Sequence, residues 1–202
     1  MRVPSSGQPT LTSLPGHPVI LTRPGWALCV TGESEKGLAQ IGQGVDSYGL
    51  EVAQHILLAL QADAQLAISK PGAALASATA GLKAVEKAGG APLEAELYRL
   101  KGEALLAGAG TVSEAETAIE QGIDVARRQN AKSWELRGAI SLARLHRQQG
   151  RREDAVARLA PIRAWFTEGF DTADLQAART LLADLENPAA PRTRFGAVLK
   201  GS

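Results

Sequence analysis

The sequence has almost no sulfur chemistry to offer. Cys29 is its one cysteine, so an internal disulfide and a cysteine-based zinc site are both excluded. Cys29 reads as a small apolar filler in a reducing compartment. Aromatic residues make up 4% of the 202 positions, and β-branched residues are sparse and rarely clustered, which removes the side chains that strands favour. Neither sign of charge is in excess, since 22 basic and 21 acidic residues leave a formal +1. No global field then draws in nucleic acid or an anionic membrane, and an electrostatic partner has to be met by a local patch. No apolar run approaches the length of a membrane span. The first residues lack the basic region and unbroken apolar stretch of a secretory signal. Together these absences predict a soluble, cytoplasmic protein with no membrane contact and little affinity for nucleic acid.

What the sequence does hold is Ala and Leu, which dominate its 45% of hydrophobic residues and lose little rotamer freedom in a helix. The composition predicts an all-α fold. Pro4, Pro9, Pro15, Pro18 and Pro24 remove donors and fix φ, so residues 1–24 read as a disordered, Pro/Ser-rich leader. Helical text runs over 25–186, and 187–202, with Pro188 and Pro191, reads as a flexible tail.

Between these ends a pattern recurs. The turn residues Gly32, Ser69, Gly110 and Gly150 are separated by 37, 41 and 40 residues. The small residues five positions later, Gly37, Ala74, Ala115 and Ala155, keep the same separations. Two helices in a tight hairpin approach closely only where a small residue sits at their crossing, and this pattern supplies one in each pair. The period is somewhat longer than the roughly 34 residues of a tetratricopeptide repeat. The prediction is a right-handed solenoid of antiparallel, tetratricopeptide-like helix hairpins, about four repeats followed by a C-terminal capping helix. Ser113-Glu114-Ala115-Glu116 reads as a capping box opening the second helix of repeat three. Asn130 and Gly150 mark helix ends. Asp171 and Thr172 can cap the final helix, whose Leu175, Ala178, Leu182 and Leu185 share a face. Pro161 predicts a kink or break before Ala164-Trp165-Phe166.

These stretches carry a family resemblance. Gly25-Trp26-Ala27-Leu28, Ala95-Glu96-Leu97-Tyr98-Arg99-Leu100-Lys101-Gly102-Glu103, Ala131-Lys132-Ser133-Trp134-Glu135-Leu136-Arg137 and Trp165-Phe166-Thr167-Glu168-Gly169-Phe170-Asp171-Thr172 resemble the C-terminal tetratricopeptide-like region of large bacterial signalling proteins. Those proteins place a class III adenylate/guanylate cyclase domain or a DNA-binding domain before a predicted AAA-type ATPase. The resemblance covers 25–186 and is strongest over 94–186. It implies a helical repeat module of a signalling protein, without the catalytic domains.

Chemistry is not written in the chain. Gly32-Glu33-Ser34-Glu35-Lys36-Gly37 lacks the Lys and hydroxyl of a phosphate loop, and Gly37 has a packing role. Gly108-Ala109-Gly110 follows a helix, so it reads as a loop between helices. His17, His55 and His146 are isolated, with no metal-ligand spacing, and His146, in a basic helix, reads as solvated. Glu114 and Glu116, and Asp171 and Asp174, sit at helix starts, where the dipole favours them. No catalytic, cofactor or metal residue is assigned. The feature with functional content is arginine. Arg137, Arg144, Arg147 and Arg151 have separations of seven, three and four, which puts them on one helix face, opposite Ala139, Leu142, Ala143 and Leu145. Arg99 extends the strip. Guanidinium forks suit carboxylates and phosphates, so the expectation is a scaffold whose concave groove binds an acidic or C-terminal peptide segment of a protein partner. The bland reading is a solvated helix face paired in part with Glu135 and Glu153. A second reading is a remnant of a cyclase/ATPase regulator that lacks its catalytic residues. Trp134, Trp165, Phe166 and Phe170 are expected to pack repeat four against the final helix.

Overall fold

The computed structural model describes residues 27–29, 31–47 and 51–187, and among these it is all-helical, with no strand. The leader over 1–24, and the tail beyond Asn187, lie outside the described residues. After a short helical stretch at 27–29 come α1 (Ser34–Ser47), α2 (Glu51–Ala67), α3 (Pro71–Lys87), α4 (Glu94–Ala104), a π turn (Leu105–Ala109), α5 (Val112–Arg128), α6 (Lys132–Gln148), α7 (Arg152–Trp165) and α8 (Ala173–Glu186). The chain divides into two compact units, one ending at Gly138 and the other beginning at Ala139, so the boundary falls within α6.

In the first unit each helix packs on the next, α1 on α2 through to α4 on α5, and α2 also touches α4. The small residues of the recurring pattern are inside: Ala74 and Ala115 are fully buried, and Gly37 is buried. α4 and α5 approach closely at two glycines. A Cβ on Gly102 would stand 2.4 Å from Ile119 Cγ1, and one on Gly122 would stand 2.8 Å from the Ala95 carbonyl oxygen. Cys29 is buried with Ile41 and Ala64, where loss of water raises its thiol pKa. In the second unit α7 packs on α8. Ala155 and Leu159 of α7 and Ala178 of α8 are fully buried, and Arg152 ties the two helices by donating to the Leu185 carbonyl at 2.9 Å.

The turns follow from the sequence with one exception. Gly32 (φ 102°), Ser69 (φ 57°) and Gly150 (φ 79°) take the left-handed conformation that ends a helix, as does Asn130 (φ 54°). The residue after each closes the cap: Glu33 N–H donates to Leu28, Lys70 N–H to Gln65, and Arg151 N–H to His146. Before α5 Gly110 is extended, and the positive φ falls on Gly108 (φ 114°), inside the π turn. There Gly110 N–H itself makes the closing bond, to Leu105 at 3.2 Å, so the cap sits one residue earlier relative to its glycine.

Four local expectations are corrected. The capping box of α5 is Thr111 with Glu114, not Ser113 with Glu116. Thr111 Oγ1 accepts from Glu114 N–H at 3.2 Å, and Glu114 Oε2 accepts from Thr111 N–H at 2.9 Å. Two boxes overlap in this stretch, and the extended Gly110 lets the earlier one start the helix. Thr172 occupies the N-cap of α8 without a side-chain cap bond; its hydroxyl donates to Gly169 O instead. Leu181, rather than Leu182, joins Leu175, Ala178 and Leu185 on the buried face of α8. His146 is 1% exposed, because it follows Leu142 and Ala143 by four and three residues on the packed face of α6. Pro161 lies inside α7, which continues to Trp165.

Candidate binding groove

Along α2, Ile56, Leu60 and Asp63 follow one another at helical spacing, so they share a face. That face is not the core face: Leu57, Leu58 and Ala59 are buried beside it, whereas Ile56 is 41% exposed. Opposite stand Leu93, at the N-cap of α4, Glu96 and Leu100 of α4, and Trp134 and Arg137 from the first turns of α6. Together they line a groove of about 490 Å³ within the first unit. Its walls are mostly aliphatic and aromatic, with the charged groups gathered at one side.

Those charges are tightly arranged. Glu96 is 5% exposed and accepts from Arg99 through both oxygens, Nε and Nη2 each at 2.8 Å. The same Oε1 takes Arg137 Nη2 at 3.0 Å. Arg99 also meets Glu103 at 3.5 Å and Asp63 at 3.9 Å. Burial opposes the charge on Arg99, but the Glu96 hydrogen bond and the carboxylates of Glu96, Glu103 and Asp63 outweigh it and raise its pKa further. The Arg137 guanidinium lies 5.4 Å from the centre of the Trp134 ring, within cation–π reach. Trp134 itself packs on Ala95, Val125 and Ala126. Nearby, Glu135 accepts from Lys132 at 2.7 Å and Arg127 at 2.9 Å. Burial pushes its pKa up, and those two hydrogen bonds outweigh it and leave it lowered.

The arginines singled out from the sequence therefore separate. Arg99 and Arg137 are brought together, on Glu96. Arg144 and Arg147 belong to the second unit, where Arg144 is exposed and Arg147 pairs with Asp184 at 3.2 Å. Both line a shallow depression of about 450 Å³ with Gln176 and Thr180. Arg151 lies beyond α6, at the N-cap of α7, and pairs with Asp154 at 2.8 Å. It does not continue the helix face, because the left-handed Gly150 turns the chain first. The opposite face of α6 is as expected, with Ala139, Leu142, Ala143 and Leu145 all buried.

The aromatic expectation changes as well. In the second unit Trp165 is 58% exposed and Phe170 48%. Trp165 stacks edge-on with Phe166 at 5.1 Å, and Arg163 lies over Phe170 at 5.5 Å. Elsewhere, His55 and Gln54 of α2 and Lys83 and Lys87 of α3 line a depression of about 460 Å³. His55 is 4% exposed, its Nδ1 has no hydrogen-bond partner among the described residues, and burial lowers its pKa.

Sequence reasoning missed Glu96 and Ile56. Glu96 stands three residues before Arg99, which makes their pairing readable, but its bond to Arg137 joins α4 to α6. Ile56 had a signal in the apolar run Ile56-Leu57-Leu58-Ala59-Leu60, which is wider than one buried helix face. Among the described residues, no group of His, Cys, Asp and Glu is placed to hold a metal, and no helix is long and apolar enough to cross a membrane. No protein-family model matches the chain, and no curated protein matches it.

Proposed function

We propose that this chain is a binding scaffold built from tetratricopeptide-like helix hairpins, and that the groove between α2, α4 and α6 receives a peptide segment of a protein partner. The hairpin reading is supported by the recurrence of one local pattern. Each pair has a turn with a capped helix end and, five residues after the turn glycine or serine, a buried small residue. On this reading 27–47, 51–87, 94–128 and 132–165 are four hairpins, and α8 is a closing helix with an apolar inner face. Its role is protein–protein interaction in a signalling or regulatory system, with no chemistry of its own.

The observation that carries the binding reading is Ile56. A large aliphatic side chain, 41% exposed at the wall of a mostly apolar groove, gains by being covered. Photo-crosslinking tests the reading. A benzophenone amino acid at position 56, and another at the exposed position Thr117, are placed in the full chain in the cell that encodes it. Discrete protein adducts at 56 and none at 117 support a docking groove. Equal adducts at both positions, or none at 56, remove it.

A further inference from the structure

The depression between α2 and α3 shares no lining residue with the groove. Ala80, Lys83, Ala84 and Lys87 are spaced to share a face of α3, and with His55 and Pro92 they line a space of about 460 Å³. That is the size of a small-molecule site. The alanines and Pro92 make part of the lining apolar. Lys83 and Lys87 are exposed, and neither pairs with a carboxylate among the described residues. Glu86 of the same helix does not line the depression. Two like charges one turn apart repel, so an anion between them is doubly favoured. The dipole at the end of α3 accounts for Lys87, which is in the last turn, but not for Lys83, a turn earlier. His55, on the facing helix, is 4% exposed, and its Nδ1 has no hydrogen-bond partner among the described residues. A buried polar side chain left unmet costs stability, and the lysines, which only donate, offer no acceptor for an imidazole N–H. A phosphate monoester answers all three groups. Its several oxygens and charge approaching −2 suit two separate ammonium groups, whereas a carboxylate is matched by a single guanidinium fork. We infer that the depression binds a small organic phosphate, its apolar body against Ala80, Ala84 and Pro92. The phosphate is held between Lys83 and Lys87 and accepts an N–H of the His55 ring.

Titration of the full chain with octyl phosphate, kept below its micellar concentration, tests this by NMR of isotopically labelled histidine rings. The signal lost in His55→Gln is that of His55. The expected result is a saturable shift of that signal. Inorganic phosphate and octanol, each lacking one half of the ligand, bind at least about tenfold more weakly. Exchange of both exposed lysines, Lys83→Gln with Lys87→Gln, weakens octyl phosphate at least about tenfold, while Ile56→Gln, in the groove, leaves it unchanged. Circular dichroism establishes that each variant keeps its helices. Octanoate binding as tightly as octyl phosphate overturns the phosphate assignment. Octyl phosphate binding that matches octanol, or that ignores the lysine exchange, overturns the anion site. A His55 signal that octyl phosphate never moves overturns the site altogether, and none of these outcomes bears on the groove.

Discussion

Glu96 is the residue on which the groove's charge depends, and Glu96→Gln removes its charge while keeping its shape. The amide can place its oxygen where Oε1 accepts from both Arg99 and Arg137. Its NH2 then faces Arg99 Nε, which donates at 2.8 Å to Oε2 in the native chain, and two donors oppose each other. Hydrogen bonds to charged groups contribute about 1.5–3 kcal/mol each, and breaking a buried pair from one side costs about 3–5 kcal/mol. Two features bring the figure down: Arg99 keeps Glu103 at 3.5 Å, and Arg137 is 31% exposed, so water answers its charge. The expected loss is about 2–3 kcal/mol. Arg137→Met, the change at the wetter end of the network, loses less than about 1 kcal/mol. Urea unfolding measures both, followed by the fluorescence of Trp134 in a chain with Trp26→Phe and Trp165→Phe, so that the signal comes from the first unit. A loss below about 1 kcal/mol for Glu96→Gln, at unchanged m-value, would show that the guanidiniums do not need Glu96. They would then be available to other anions, and the reading of Glu96 as the group that holds them would fail.

Other consequences separate packing from propensity and locate a pH response. Gly122→Ala places a methyl 2.8 Å from a backbone oxygen and 3.1 Å from Tyr98 Cβ, so it destabilises by about 1–2 kcal/mol despite the helix-propensity gain. The same change at Gly42 meets open space and stabilises by about 0.5–1 kcal/mol; denaturant midpoints of the two variants should move in opposite directions. Thr111→Ala removes the hydroxyl that holds Glu114 N–H, and hydrogen exchange at the start of α5 accelerates while that of α4 does not. His55 has its pKa lowered by burial, so below about pH 6.5 the unfolded chain binds a proton that the folded chain resists. Its contribution to stability is present above that pH and is lost as the pH falls. Melting temperatures at pH 7.5 and 5.5 should draw closer together in His55→Gln than in the native chain.

What the sequence made legible was whatever is decided within one helix or one turn. Ala74, Ala115 and Ala155 could be placed at helix contacts because a crossing admits only small residues, and each is fully buried. The packed face of α6 could be read because burial repeats at helical spacing. Where two local solutions competed, the pattern was silent. Both Thr111-Val112-Ser113-Glu114 and Ser113-Glu114-Ala115-Glu116 spell a capping box, and the choice turns on the backbone of Gly110, which follows from the π turn before it. His146 was misread for a similar reason: its basic neighbours in sequence point away from it around the helix, and only its place after Leu142 and Ala143 reveals the burial.

The arginine strip shows where reading by residue type ends. A guanidinium offers its donors to whichever carboxylate is nearest, and that carboxylate need not be near in sequence. Glu96 meets Arg99 within a turn and Arg137 from α6, so one buried acid holds two candidate anion-binding residues in the wall. The same spacing on α6 that suggested a basic strip also brings Arg137 over Trp134, where its charge and its plane serve the groove's lining. An arginine-rich helix face is evidence for an anionic ligand only once the neighbouring helix has been searched for its acids.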